Sequence, residues 1–275
     1  METVLLLRSF GDFVVALYHI PVTNTSSKSY RLVASKHLEP LYQSLLPYLS
    51  PAQRAVEFKD FGIQHHILSA FTNRYFFTKE NVQELKHLQE QMKGISNIVL
   101  EQDTKSWLIQ LACKNKIISI HRGGNIYDSW AAYYENKNPF KTEISTPKKV
   151  LIFPDSRLKR KEITEEVLLK LETQLTGQNI QTSRAYFNNA AKGISYRNFN
   201  ELLQLIEDAD YIISSDSLPA HLAQLLQKPH GIIYANKINQ EWVTPFAKEN
   251  GTAYTFDQIS NNYLKIKNTP PAACG

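Results

Sequence analysis

The sequence has little of what announces the simplest functions. Its 275 residues hold two cysteines, Cys113 and Cys274, far apart in the chain. They offer neither metal-ligand spacing nor a disulfide framework, and such sparse usage suits a reducing cytosol. The ten glycines form no Gly-x-Gly-x-x-Gly, no Walker A loop and no Gly-x-Ser-x-Gly elbow, so the glycine-built dinucleotide, NTP and hydrolase signatures are missing. No uninterrupted apolar run approaches the roughly eighteen residues that a spanning helix needs. Met1–Arg8 lacks a basic n-region and a long apolar stretch, so it reads as a first buried strand and not as a signal peptide. Charge is also modest: 31 Lys+Arg against 26 Asp+Glu leave a net +5. With no nucleic-acid motif beside it, that excess predicts no nucleic-acid partner.

What is present is alternation. Short apolar runs at Val4–Leu7, Tyr30–Ala34, Asn97–Leu100, Ile117–Ile120, Val150–Phe153, Ile212–Ser214, Gly231–Tyr234 and Thr252–Phe256 predict strands. Stretches of helical period lie between many of them, about Asp12–His19 and Lys36–Tyr48 among the first. Strands separated by helices predict parallel sheets built from right-handed crossovers. Phe199, Leu202, Leu203 and Ile206 share one helical face behind an Asn198/Glu201 capping pair. Thr164 can cap Glu165–Leu175, with Ile163 and Leu168 placed as a hydrophobic staple. The polar stretch Lys141–Lys149 contains Pro147 and precedes a fresh strand. It predicts a seam between an N-terminal lobe, 1–145, and a C-terminal lobe, 146–275. Both lobes read as Rossmann-like α/β units facing a cleft, where ligands sit at the carboxyl ends of strands. The Asn268–Gly275 tail reads as loose.

Three constellations could carry chemistry. In Arg8-Ser9-Phe10-Gly11-Asp12, Gly11 permits a turn and Asp12 stands at the start of the first helix. An acid there is either a cleft-facing base or simply a cap. After the strand ending at Phe153, the loop through Ser156, Arg157, Lys159, Arg160 and Lys161 puts four cations in five positions. It suits a diphosphate, or is merely a solvated loop. The third is the most informative: a strand runs into Ser215-Asp216-Ser217-Leu218-Pro219-Ala220-His221, with proline in a first helical turn. Amides of about Ser217 to His221 could receive an anion there; the plain alternative leaves Asp216 and Ser217 as caps and His221 as a packed histidine. Asp208-Ala209-Asp210 precedes its strand, so a metal there would sit at the wrong end of the sheet. His65-His66 has no further ligand at zinc spacing. His121-Arg122 follows a strand and could touch an acceptor.

Taken together, these motifs resemble the family-nine glycosyltransferases, typified by the ADP-heptose:lipopolysaccharide heptosyltransferases. Leu5-Leu6-Leu7-Arg8-Ser9-Phe10-Gly11-Asp12-Phe13-Val14 is similar to the family's first strand and turn. Ala209-Asp210 through Asp216-Ser217-Leu218-Pro219-Ala220-His221-Leu222-Ala223, with Lys228-Pro229 beyond, is similar to its A-D…D-S/T-G-P-x-H-L-A motif. Pro154-Asp155-Ser156-Arg157…Lys161 echoes a third, looser loop. The resemblance implies a GT-B fold and an inverting sugar transfer without metal or cofactor. Its donor would be a nucleoside-diphosphate sugar and its acceptor a cell-envelope glycan or glycolipid, met in the cytoplasm at the inner membrane face. By position, Asp12 would be the general base, with Gly11, His121 and Arg122 on the acceptor side. Ser156, Arg157, Lys159 and Lys161 would meet the diphosphate, Lys161 (or Lys159) steadying the leaving group. Asp216 would touch the donor sugar, and Ser217, Leu218, Pro219, Ala220 and His221 would form the cradle. Leu218 departs from the family glycine, and Ala235-Asn236-Lys237 from its usual Phe-Gly-Pro/Ser-Thr. These departures leave a second expectation, a silent GT-B protein that binds without transfer.

Overall fold

The computed structural model describes residues 2–7, 9–20, 30–61, 83, 86–87, 89–95, 97–101, 117–120, 124–135, 146–261 and 264. Arg8, His65-His66, His121-Arg122, residues 141–145 of the expected seam and the 268–275 tail lie outside this set. The chain divides into two compact units, Met1–Asn138 and Pro139–Gly275.

In the first unit, β1 (Glu2–Leu6), β2 (Tyr30–Ser35), β3 (Val56–Lys59), β4 (Ile98–Glu101) and β5 (Ile117–Ile120) form one parallel sheet, ordered β3-β2-β1-β4-β5. Val4, Leu5 and Leu6 of β1 are all buried, which fits a central parallel strand covered on both faces. Helix α1 (Phe10–His19) follows β1, then α2 (Glu39–Leu45) and α3 (Ile126–Tyr134). The single helix expected over Lys36–Tyr48 is instead α2 between two 3-10 turns, Lys36–Leu38 and Leu46–Tyr48. Pro40 and Pro47 account for the interruptions, since each lacks an amide hydrogen and crowds the preceding turn.

In the second unit, β6 (Lys149–Phe153), β7 (Gln181–Phe187), β8 (Ile194–Tyr196), β9 (Tyr211–Ser215), β10 (His230–Tyr234) and β11 (Ala253–Thr255) pair in parallel, ordered β11-β10-β9-β6-β7-β8. The helices are α4 (Glu165–Thr176), α5 (Phe199–Asp208), α6 (Leu218–Leu225), α7 (Pro245–Asn250) and α8 (Phe256–Ser260). Phe256 therefore opens a helix and does not end a strand; Thr255 caps that helix by accepting from the Gln258 amide. Ile163 and Leu168 are buried in the same cluster as Val167, Leu171 and Leu175, the stapled start expected for α4. Thr164 holds the N-cap position but makes no side-chain cap bond. Asn198 does cap α5, accepting from the Glu201 amide at 2.9 Å. Arg184 of β7 reaches back to α4, donating to Glu172 at 2.6 and 2.7 Å and to Glu165 at 2.8 Å. Next to it, a Cβ on Gly193 would fall 2.6 Å from the Arg184 carbonyl oxygen, so only glycine lets the backbone approach β7 just ahead of β8.

β3, β7 and β8 have no counterpart among the expected strands. Their sequences, VEFK, QTSRAYF and ISY, carry no apolar run because they lie at or next to sheet edges and are only partly buried. Among the described residues no helix is long and apolar enough to cross a membrane.

Candidate functional site

In the second sheet β6 and β9 lie side by side, and the strand order runs outward from them in both directions. This is the topological switch point, where crossovers leave on opposite faces and open a crevice at the carboxyl ends of the strands. Phe153 pairs with Ser214, so the Pro154 loop and the Ser215–Asp216 turn leave the sheet at the same edge. Ser215 Oγ donates to the Asp155 carbonyl at 2.8 Å. Lys161 Nζ donates to Asp216 Oδ2 at 2.7 Å. Two constellations 55 residues apart thereby become one site.

The Asp216 side chain is 7% exposed and that of Lys161 32%. The carboxylate is thus sheltered while its cation remains open to solvent and to a ligand. The loop holding Lys161 is closed by Lys161 N–H to the Leu158 carbonyl, 2.8 Å, and Ile163 N–H to the Pro154 carbonyl, 3.0 Å. Lys159 and Arg157 are both exposed, whereas Lys161 is half-buried. Ser156 Oγ accepts from the Leu158 amide within its own loop, 3.4 Å. Of the two lysines considered for the leaving group, Lys161 is the one that bonds Asp216.

The start of α6 differs from the expected five-amide cradle. Ser217 occupies the N-cap position with extended backbone (φ −154°, ψ 177°), but its side chain makes no cap bond. Its Oγ is held sideways by Ser214 Oγ at 3.2 Å and Ser215 Oγ at 2.9 Å. Pro219 has no amide hydrogen, and Ala220 N–H already donates to the Ser217 carbonyl at 3.2 Å. Among the described residues nothing engages the Ser217 and Leu218 amides. Leu218 is half-buried at the first helical position, and Pro219 and Ala220 are buried behind it. His221 is buried and packs edge-on against Trp242, ring centres 5.9 Å apart.

Ser9, Gly11 and Asp12 are wired differently. Gly11 is not in a turn: α1 begins at Phe10, and Gly11 sits in its first turn. Ser9 is the N-cap, and Asp12 is the third helical residue of a capping box. Asp12 Oδ2 accepts from the Ser9 amide at 3.0 Å and from Ser9 Oγ at 2.9 Å. Asp12 is 9% exposed. Glu101, ending β4 beside β1 at the first sheet's own switch point, is a second buried carboxylate that the sequence reading passed over.

Asp210 is structural. Its Oδ2 accepts the amides of Lys148 and Lys149 at 3.0 and 2.9 Å, joining the amino ends of β6 and β9. Asp208 accepts from Gln204 at 3.0 Å. Both lie opposite the crevice end of the sheet, and among the described residues no group of three or more potential metal ligands is assembled.

Two further buried side chains of β10, one at each end of the strand, gave no signal in the sequence. Tyr234 ends β10 and packs with Ala220 of α6 and Val243. His230, fully buried, makes ring-nitrogen contacts with the Lys228 carbonyl and Thr244 Oγ1, both 2.7 Å. With Nδ1–H donating to the carbonyl, Nε2 accepts from the threonine hydroxyl. Burial is the main cause that lowers its pKa to about 4.

No family model and no curated protein matches the sequence. Solved structures do match in fold. E. coli heptosyltransferase WaaC with ADP-2-deoxy-2-fluoro heptose superimposes with a TM-score of 0.56 at 13% identity, covering 92% of each chain. A family 9 glycosyltransferase from Veillonella parvula gives 0.59 at 12% identity, over 97% of this chain and 90% of that one. E. coli ADP-heptose lps heptosyltransferase II gives 0.54 at 12%, over 96% and 97%. The chain therefore has the two-sheet α/β fold of these GT-B glycosyltransferases, along nearly its whole length.

Proposed function

We propose that this chain is a glycosyltransferase that moves a sugar from a nucleoside diphosphate to a hydroxyl acceptor, with inversion and without a metal. The observation that carries the reading is the Lys161–Asp216 pair at the switch point, beside a helix start whose first amides are not capped. A diphosphate needs cations and oriented amides, and this crevice supplies both. The acceptor oxygen attacks the anomeric carbon while the bond from that carbon to the β-phosphate oxygen breaks. The acceptor proton passes to Asp12, and the charge left on the diphosphate is met by Lys161 and the helix end. Asp216, released by Lys161 when the phosphate arrives, accepts from hydroxyls of the donor sugar.

The heptosyltransferases among the fold relatives make ADP-heptose the first donor to try and a cell-envelope glycan the first acceptor, with transfer at the cytoplasmic face of the inner membrane. A second reading is a nucleotide-binding protein without transfer. Leu218 favours it, because a half-buried leucine at the first turn fills space beside the donor.

Thermal-shift screening against ADP-, GDP-, UDP-, CMP- and dTDP-sugars tests the main reading, since a ligand at 100 times its Kd stabilises the fold by about 2.7 kcal/mol. The expected result is a shift with one nucleotide class, followed by donor turnover that persists in EDTA. Binding with no turnover selects the second reading. Loss of turnover in chelator, restored by a divalent ion, refutes metal independence.

A further inference from the structure

A buried tyrosine hydroxyl is normally hydrogen-bonded, and one that is not calls for a reason. The Tyr234 hydroxyl is such a group. The residue is 4% exposed, and its oxygen has no partner among the described residues. Its position supplies the reason. Ser215 of β9 pairs with Ile233 of β10, so one step further along this parallel register Tyr234 lies level with Asp216. It belongs to one buried cluster with Ala220 in the first turn of α6 and with Val243. The Asp216 charge reaches it, and the start of α6 shares its cluster through Ala220.

We infer that Tyr234 is a specificity-determining residue whose hydroxyl donates to a hydroxyl of the donor sugar, paired with Asp216 as acceptor. This rests on the donor reading above and extends it to a residue no motif singled out. A sugar hydroxyl both donates and accepts, so a phenol and a carboxylate on either side satisfy it completely. The phenol stays protonated and able to donate: burial first, and the Asp216 charge second, raise its pKa. In the free protein Asp216 is held by Lys161. When a diphosphate draws Lys161 away, the acceptor and the waiting donor face the sugar together. The unmet hydroxyl is thus a local cost to the free fold that is relieved only by the correct ligand.

The cost and the function predict opposite signs for one substitution. Tyr234→Phe keeps the ring and its packing and removes only the hydroxyl. Calorimetric titration of the full chain with ADP and ADP-glucose, GDP and GDP-mannose, UDP and UDP-glucose, and dTDP and dTDP-glucose separates base, phosphate and sugar. For the nucleotide that the wild type binds, the variant should lose about tenfold in affinity for the nucleotide sugar. Affinity for the free diphosphate should stay within about twofold, and the ligand-free variant should melt at the same temperature as wild type or higher. Unchanged affinity for the sugar nucleotide overturns the inference, as does an equal loss for both ligands or a lower melting temperature with no sugar-specific loss. If the wild type binds none of the eight, the donor reading itself fails, and this assignment with it.

Discussion

The two sheets each send a strand into a helix through a turn that contains a serine and an aspartate, and the two turns are wired in opposite ways. At β1–α1 the pair closes on itself: Ser9 caps the helix and the Asp12 carboxylate returns to Ser9. At β9–α6 neither residue serves its own helix. Ser217 bonds to Ser214 and Ser215, and Asp216 reaches across the switch point to Lys161. Position explains the difference. Asp12 is the third helical residue, where a carboxylate can fold back on the N-cap; Asp216 precedes the N-cap and cannot. The first turn folds its serine and carboxylate onto its own helix end, whereas the second leaves the Ser217 and Leu218 amides uncapped beside an ion pair. The same residue types thus give a helix cap in one sheet and an ion pair across the switch point in the other.

Several substitutions would break or sharpen this contrast. The largest effect is expected at Asp12. Asp12→Asn can still accept from the Ser9 amide, so α1 should persist, with about 0.3–1 kcal/mol lost from charge at a helix start. It cannot take a proton, and transfer should fall by about 10²–10⁴-fold with donor affinity retained. Transfer at the wild-type rate would leave Asp12 as a cap alone.

At the second turn, Lys161→Ala removes both the partner of Asp216 and a phosphate contact. Diphosphate affinity should drop by about 1.5–3 kcal/mol in calorimetry. Lys159→Ala, two residues away but outside the bridge, should change it by about 0.5 kcal/mol or less. Equal losses would show that the loop acts as a diffuse basic surface.

His230 offers a pH test of the same unit. Its folded pKa, about 4, lies below the ordinary value near 6.5. The neutral ring therefore contributes stability above about pH 6.5 that is lost as pH falls toward 4, a few kcal/mol at most. Melting temperature should decline through that window, and His230→Gln should flatten the decline. An identical slope in the variant would assign the acid sensitivity to other groups.

The smallest effects compare the serines directly. Ser9→Ala should cost about 0.5–2 kcal/mol in urea unfolding, because it removes a working N-cap. Ser217→Ala should cost less, since it caps nothing. The reverse order would contradict the wiring described above.

Much of this architecture was legible in the sequence, for identifiable reasons. The buried strands β1, β6, β9 and β10 are written as apolar runs because both their faces are covered. The strand QTSRAYF was not, since partly buried positions tolerate polar residues and its Arg184 serves the acids of α4. Asp216 could be singled out from its place between a strand and a proline-bearing helix start. Its partner could not, because choosing Lys161 over Lys159 depends on the 3-10 turn that aims one of them inward. The five-amide cradle overlooked that Pro219 has no amide to offer. Tyr234 left no local signature: what marks it is burial without a partner, which only three dimensions disclose.

The most direct test of the central claim is amide hydrogen exchange of the wild-type chain with each nucleoside diphosphate in turn. One of them should slow exchange at residues 155–163 and 217–222 while leaving 9–19 unchanged, because the second turn presents the unengaged Ser217 and Leu218 amides beside Lys161. Protection confined to the first turn, or none at either with any nucleotide, would contradict the account.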